Sequence, residues 1–372
     1  MIERSLGQVF DPRCNALNAW RLTLATGVIL VHAYLCITHH VPSGQVLGDI
    51  WVDGFFAISG FLITGSWLNK RQSRVYFAAR GLRIFPGLWV CLIVIAFILA
   101  PATGTVKLSS QIAFVLKNGT LLPLQPDIDG TPLQTHYHIW DGSLWTLLFE
   151  ALFYVLIAVV GSMGLLKRWF ISAAFVAAVT WMALLVAFLP PASFFREMLE
   201  SGQPVGPDVF LMLVQGITAR LLIMFLAGAV LYLYRDKIPA NWTLVAVSAI
   251  LAAVSMLLPD YRLVGAIPLA YMIIVSGALI RHKRLQLHND LSYGTYIYSF
   301  PLQQLLLIVG LSASPLLFAA ISTAVTLPVA ALSWFLVERP SMRLKNRIKQ
   351  RANGGVPAHQ HQMAQLDPEP TA

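Results

Sequence analysis

The chain has 372 residues, of which 57% are hydrophobic and 12% charged, and its mean hydropathy is +0.68. Soluble domains carry about 25% charged residues, so this chain cannot cover a water-facing surface and reads as a polytopic membrane protein. The formal charge of +9 would suit nucleic acid in a soluble protein. Its placement serves orientation instead, and no nucleic-acid partner is expected.

Apolar stretches of spanning length fall at about 17–37, 50–68, 84–103, 143–161, 168–190, 209–233, 240–258, 263–281, 290–311 and 314–337. The expected fold is therefore all-α, with about ten transmembrane helices embedded in a lipid bilayer. An even number puts both termini on one side. Twenty basic residues lie at the termini and alternate loops: Arg4, Arg13, Lys70, Arg71, Arg74, Arg80, Arg83, Lys167, Arg168, Arg235, Lys237, Arg281, Lys283, Arg284, Arg339, Arg343, Lys345, Arg347, Lys349 and Arg351. The opposite loops hold only Lys107, Lys117, Arg196 and Arg262. This asymmetry predicts cytoplasmic termini. No cleavable signal is visible, so the first span is expected to act as its own membrane signal. The long outer loop, about 104–142, holds Pro123, Pro126, Pro132, Asp127, Asp129, Asp141, His136 and His138. Loops of this length are more often functional than idle. The polar stretch 346–372 reads as a disordered cytoplasmic tail after a membrane domain of 1–345. Cys14, Cys36 and Cys91 show no metal-ligand spacing and read as ordinary thiols; no metal site is expected.

Ionisable residues inside spans are few, and each is costly in lipid. Arg21 and His32 share the first span. Eleven residues apart, they face one way and stand about 16 Å apart along the axis. Asp53 lies on the second span, Glu150 on the fourth and Arg220 on the sixth. With the orientation above, His32, Asp53 and Glu150 lie roughly 7, 4 and 10 Å below the outer surface. Arg21 lies at the inner face, near Arg80 and Arg83, whose i,i+3 spacing makes a pair suited to phosphate. Plainer roles exist for several of these. Asp53 could be a helix N-terminal carboxylate at headgroup level. Arg80 and Arg83 could serve orientation alone, His32 could be a neutral core histidine, and Arg220 could be a counter-ion to Glu150.

Six segments together resemble the membrane acyltransferase-3 family, the bacterial O-acyltransferases that modify surface glycans. They are Arg21 to His32; Val52-Asp-Gly-Phe-Phe-Ala-Ile-Ser-Gly-Phe-Leu-Ile63; Phe77-Ala-Ala-Arg80-Gly-Leu-Arg83-Ile-Phe-Pro86; Ser143-Leu-Trp-Thr-Leu-Leu-Phe-Glu150; Leu291-Ser-Tyr-Gly-Thr-Tyr-Ile-Tyr; and Ser333-Trp-Phe-Leu-Val-Glu-Arg-Pro340. The usual Gly-Val-Asp of the second segment is Trp-Val-Asp here, which leaves Asp53 in place. The chain resembles the stand-alone form, without a C-terminal esterase-like domain. The resemblance implies acetyl-CoA, or another acyl-CoA, as donor on the cytoplasmic side of the bacterial inner membrane. It implies a glycan or lipid-linked saccharide as acceptor outside.

On that footing His32 is the expected general base, and Glu150 or Asp53 the group that orients it. Arg21, Arg80 and Arg83 would hold the coenzyme A phosphates, with the pantetheine arm along the first helix. An acyl-imidazole relay on His32 is the other route. A proton-coupled transporter or flippase is the competing class, since buried Arg, His, Asp and Glu also relay protons. A homo-oligomer is compatible with everything above.

Overall fold

In the computed structural model the described residues are 4–40, 48–70, 73–122, 125–132, 135–190 and 206–344. They are almost wholly helical, with only isolated bridges and no strands among them. The backbone of a lipid-embedded segment must satisfy its own polar groups, and a helix does so within each segment. After a short turn α1 (Leu6–Val9) come α2 (Leu17–Thr38), α3 (Ile50–Lys70) and α4 (Ser73–Val94). Helix α4 runs on through a π-helical turn, Ile95–Leu99, to Thr103. Then follow α5 (Leu108–Asn118), α6 (Trp145–Ser162), α7 (Arg168–Phe188), α8 (Pro207–Tyr234), α9 (Trp242–Ser255), α10 (Arg262–Leu279) and α11 (Ser292–Ile308). The last, α12 (Pro315–Ser333), continues through a π-helical turn, Trp334–Glu338, to Leu344.

Every expected span coincides with a helix. Eight of these helices, among the described residues, are long and apolar enough to cross a membrane. The two exceptions are α9, with 14 residues, and α11, with 17. Helix α11 falls short because it is the polar inner wall of the bundle: Ser292, Thr295, Ser299, Gln303 and Gln304 are all buried. Conversely, Phe188 and Leu257 are 81% and 86% exposed. Large apolar side chains that face outward while polar ones face inward are what a lipid solvent selects.

Two expectations change. The third span starts eleven residues earlier than its hydropathy indicates, at Ser73 rather than 84, so Arg80 and Arg83 lie on the spanning helix itself. The outer loop 104–142 is not all loop, since it contains α5. The Gln111 side chain of α5 donates to the carbonyl of Ala96 (2.6 Å), within the π-helical turn of α4. Asp129 accepts from the Lys107 amide (2.5 Å) and the Ser110 hydroxyl (2.7 Å), which hold its carboxyl below the usual range. The residues Arg71, Pro123, Arg196, Lys345, Arg347, Lys349 and Arg351, and the tail 346–372, lie outside the described residues.

Helices α3 and α8 approach most closely. A Cβ added to Gly60 would fall 1.9 Å from the Phe225 carbonyl oxygen, and one added to Gly228 would fall 2.0 Å from that of Ala57. Small residues that let backbones touch are the usual means of helix association in membranes. Gly60→Leu is expected to force α3 and α8 apart, at about 1–3 kcal/mol for overpacking. Thermal denaturation in detergent would show it. Gly216→Ala, with nothing within 4 Å, should leave the transition in place.

Candidate active site

Helix α2 carries Arg21 and His32 and is surrounded by α3, α10, α11 and α12. At its inner end Arg21 Nη1 contacts Asp290 Oδ2 at 2.6 Å. Arg83, arriving on α4, contacts the same oxygen at 2.5 Å. The other oxygen of Asp290 accepts from the Ser292 hydroxyl (2.5 Å) and amide (3.2 Å) at the head of α11. One carboxylate therefore ties three helices together and fixes two guanidinium groups side by side. The π-helical turn of α12 brings Glu338 to 3.8 Å from Arg83, and Ser333 donates to its other oxygen (3.0 Å). Arg80 is different. Its guanidinium carbon lies 5.7 Å from the Tyr154 ring centroid, and its buried Nε has no hydrogen-bond partner.

Beside this cluster is a narrow cavity of about 40 Å³, walled by Arg21, Phe55, Ser59, Glu150, Tyr293 and others. Glu150 accepts from the Tyr154 hydroxyl, one helical turn on, and from Ser59 (3.4 Å). A second cavity of about 100 Å³ is walled by Val28, His32, Ser143, Trp145 and Arg220. Val52 and Tyr296 belong to both walls. The two cavities are therefore neighbours, with Tyr296, whose hydroxyl lies 2.7 Å from that of Thr146, in the wall between them. Arg21 lines one cavity and His32 the other.

His32 packs edge-on against Phe300, with ring centroids 4.9 Å apart. Among the described residues its buried Nδ1 has no hydrogen-bond partner. Neither expected carboxylate orients it in this structure. Glu150 lines the cavity of Arg21. Asp53 is fully buried and taken up elsewhere: Arg220 Nε donates to one oxygen (3.1 Å), and Tyr261 (2.5 Å) and Arg262 Nε (2.6 Å) donate to the other. Arg220 also meets Asp49 (2.8 Å), and Arg262 meets Asp49 (2.7 Å) and Asp260 (2.7 Å). Two further expectations are thereby corrected. Arg220 is the counter-ion of Asp49 and Asp53, not of Glu150. Arg262, counted among the outer-loop charges, is the buried first residue of α10.

Sequence reasoning missed Asp290, Glu338, Asp49, Asp260 and Tyr261. For Asp290 a signal existed. Asp-x-Ser before an apolar run reads as a helix head whose acid accepts from the serine. The partners Arg21 and Arg83, more than 200 residues away, carried no such signal.

Fold and site define a multi-pass helical membrane protein with two neighbouring internal cavities, one lined by Arg21 beside the arginine cluster and one by His32. The model of an acyltransferase domain matches residues 15–335, and the chain belongs to that acyltransferase family; it is an enzyme of acyl transfer. It is 26% identical to nodulation protein 10 of Rhizobium leguminosarum bv. viciae, over 91% of this chain and 95% of the relative. It is 27% identical to an O-acetyl transferase of Shigella phage Sf6, over 88% and 96%. It is also 26% identical to the exopolysaccharide production protein ExoZ of Rhizobium meliloti (strain 1021), over 85% and 95%. No solved structure matches the chain.

Proposed function

We propose that the protein moves an acetyl group from cytoplasmic acetyl-CoA to a hydroxyl of an exported or surface glycan. It would do so from the bacterial inner membrane, with both termini cytoplasmic. The observation that carries this is that Arg21 lines one cavity and His32 its neighbour, with Val52 and Tyr296 in both walls, and we read the two as one passage. The full-length likeness to an O-acetyl transferase and an exopolysaccharide production protein supports the acetyl group and the glycan. Arg80, with Arg21 and Arg83, holds the coenzyme A phosphates. The pantetheine arm threads past Glu150 toward His32. Cavities this narrow admit it only when side chains at the Tyr296 constriction move aside.

His32 takes the proton of the acceptor hydroxyl. The oxygen attacks the thioester carbonyl, the tetrahedral intermediate collapses, and the coenzyme A thiolate leaves and collects the proton from the imidazolium. Without a bonded carboxylate His32 depends on its Phe300 contact and on the bound acceptor for orientation. Glu150, facing the passage, is placed to order the arm rather than the imidazole.

Arg80 separates coenzyme binding from folding because, unlike Arg21 and Arg83, it is in no ion pair among the described residues. Arg80→Ala should weaken coenzyme A binding by about 1.5–3 kcal/mol, the worth of a charged hydrogen bond, as calorimetry would read. Unchanged affinity would return Arg80 to a purely topological role. For the reaction as a whole, deletion of the protein should remove roughly 42 Da per acetylated residue from the cell's glycans. Glycans of unchanged mass, with altered solute uptake, would favour transport instead.

A further inference from the structure

A third cavity lies outside the passage, between α5 and the chain leading into α6. Its volume is about 250 Å³, and its walls include Phe114, Asn118, Gln125, Ile139, Asp141 and Trp145. Gly142 and Trp145 also wall the His32 half of the passage, so the two spaces are neighbours.

Asp141 is the unusual group. It is 6% exposed, and one oxygen accepts from the Ser143 hydroxyl (2.5 Å) and amide (2.9 Å). This is the same Asp-x-Ser helix head that Asp290 and Ser292 build on α11. In that twin the second oxygen receives two guanidinium groups. In Asp141 the second oxygen is buried and has no partner, and no cation among the described residues pairs with it. A buried carboxylate with one face unmet costs free energy unless something completes it. Burial pushes its carboxyl up to about 7 against the opposing Ser143 bonds, so near neutrality it can accept from a hydroxyl or donate to one.

We propose that this cavity is the acceptor subsite and holds one polyhydroxylated sugar ring, with the unmet Asp141 oxygen bonding one of its hydroxyls. The inference rests on the acyl-transfer function above and adds where the acceptor sits. The neighbouring wall groups are neutral amides and an indole rather than anions. Amides match hydroxyls as donors and acceptors, and the indole offers an apolar face to ring C–H groups. The volume falls just under the ~300 Å³ at which pockets for drug-sized ligands begin, which suits one ring rather than an oligomer. Asn118 exchanges two hydrogen bonds with the Gln125 backbone (2.9 and 3.2 Å), so the wall is already formed.

The test uses the full chain in lipid nanodiscs and saturation-transfer NMR with a panel of methyl glycosides of common hexoses and deoxyhexoses. At least one glycoside is expected to bind the wild type. Asp141→Ala, and separately Ile139→Trp, which fills the cavity without touching a charge, should each raise its Kd about tenfold or more. Coenzyme A affinity should stay within about twofold, showing that the variants are folded. A glycoside that binds both variants as it binds the wild type would overturn the proposal, as would a panel in which nothing binds. Acylation of the cell's own glycan, followed in parallel, keeps the two levels apart. Glycan that loses acetyl on deletion of the protein, yet is acylated by both variants with unchanged apparent KM, defeats the subsite and spares the function. Glycan unaffected by deletion defeats the function itself.

Discussion

His32→Ala is expected to lower acyl transfer by about two to four orders of magnitude, the usual contribution of a positioned general base. The loss should fall on turnover. The proposed coenzyme A site lies some 16 Å away at the inner end of α2, so its affinity should change little. Insertion should also survive, because the His32 imidazole makes no hydrogen bond through Nδ1 and its main contact is the edge of Phe300. Transfer measured with radiolabelled acetyl-CoA, beside coenzyme A binding on the same preparation, separates these effects. A variant that turns over like the wild type would remove His32 from the chemistry. Acid-quench experiments without acceptor address the remaining ambiguity: acyl label on His32 would indicate the relay, and none would indicate direct attack.

The second large effect concerns stability. Asp53→Ala should cost about 1–3 kcal/mol, because it takes away an acceptor shared by several buried donors. The donors that lose it are Arg220 Nε, Arg262 Nε and the Tyr261 hydroxyl, while Arg220 keeps Asp49 and Arg262, 2% exposed, keeps Asp49 and Asp260. The expected result is loss of monodisperse protein in size-exclusion chromatography and a lower transition temperature. Asp53→Asn keeps the shape but removes the charge, and should be nearly as damaging. If instead Asp53→Asn were stable and inactive, the carboxylate would belong to the chemistry after all.

The contrast between these residues shows what a sequence can and cannot disclose. The costly pair on α2 was legible because both members lie on one helix and its 3.6-residue period fixes their relative direction. The spans were legible because an apolar run of sufficient length has few other uses. Residue depth gave less. His32, Asp53 and Glu150 were expected at comparable levels, yet three different neighbourhoods hold them. Depth is one coordinate, and rotation about each helix axis supplies the other. That rotation is set by contacts such as Gly60 against Phe225, which hydropathy does not encode. Asp290 stands immediately before Leu291-Ser-Tyr-Gly, where the sequence shows only a helix head. Its importance comes from Arg21 and Arg83, which meet it only after three helices have packed. Arg262 reads as a loop charge for the opposite reason: a charge at the edge of an apolar run looks solvated until its carboxylate partners arrive from elsewhere.

The proposed mechanism needs one passage that links the arginine cluster to His32 across the membrane. A structure of the protein with a non-hydrolysable thioether analogue of acetyl-CoA tests it most directly. The phosphates are expected at Arg80, Arg21 and Arg83, the arm running past Glu150 and Tyr296, and the acyl carbon within about 3.5 Å of His32 or of a hydroxyl it holds. An analogue whose acyl end stops short of Tyr296, or lies along the lipid-facing side of α2, would contradict it.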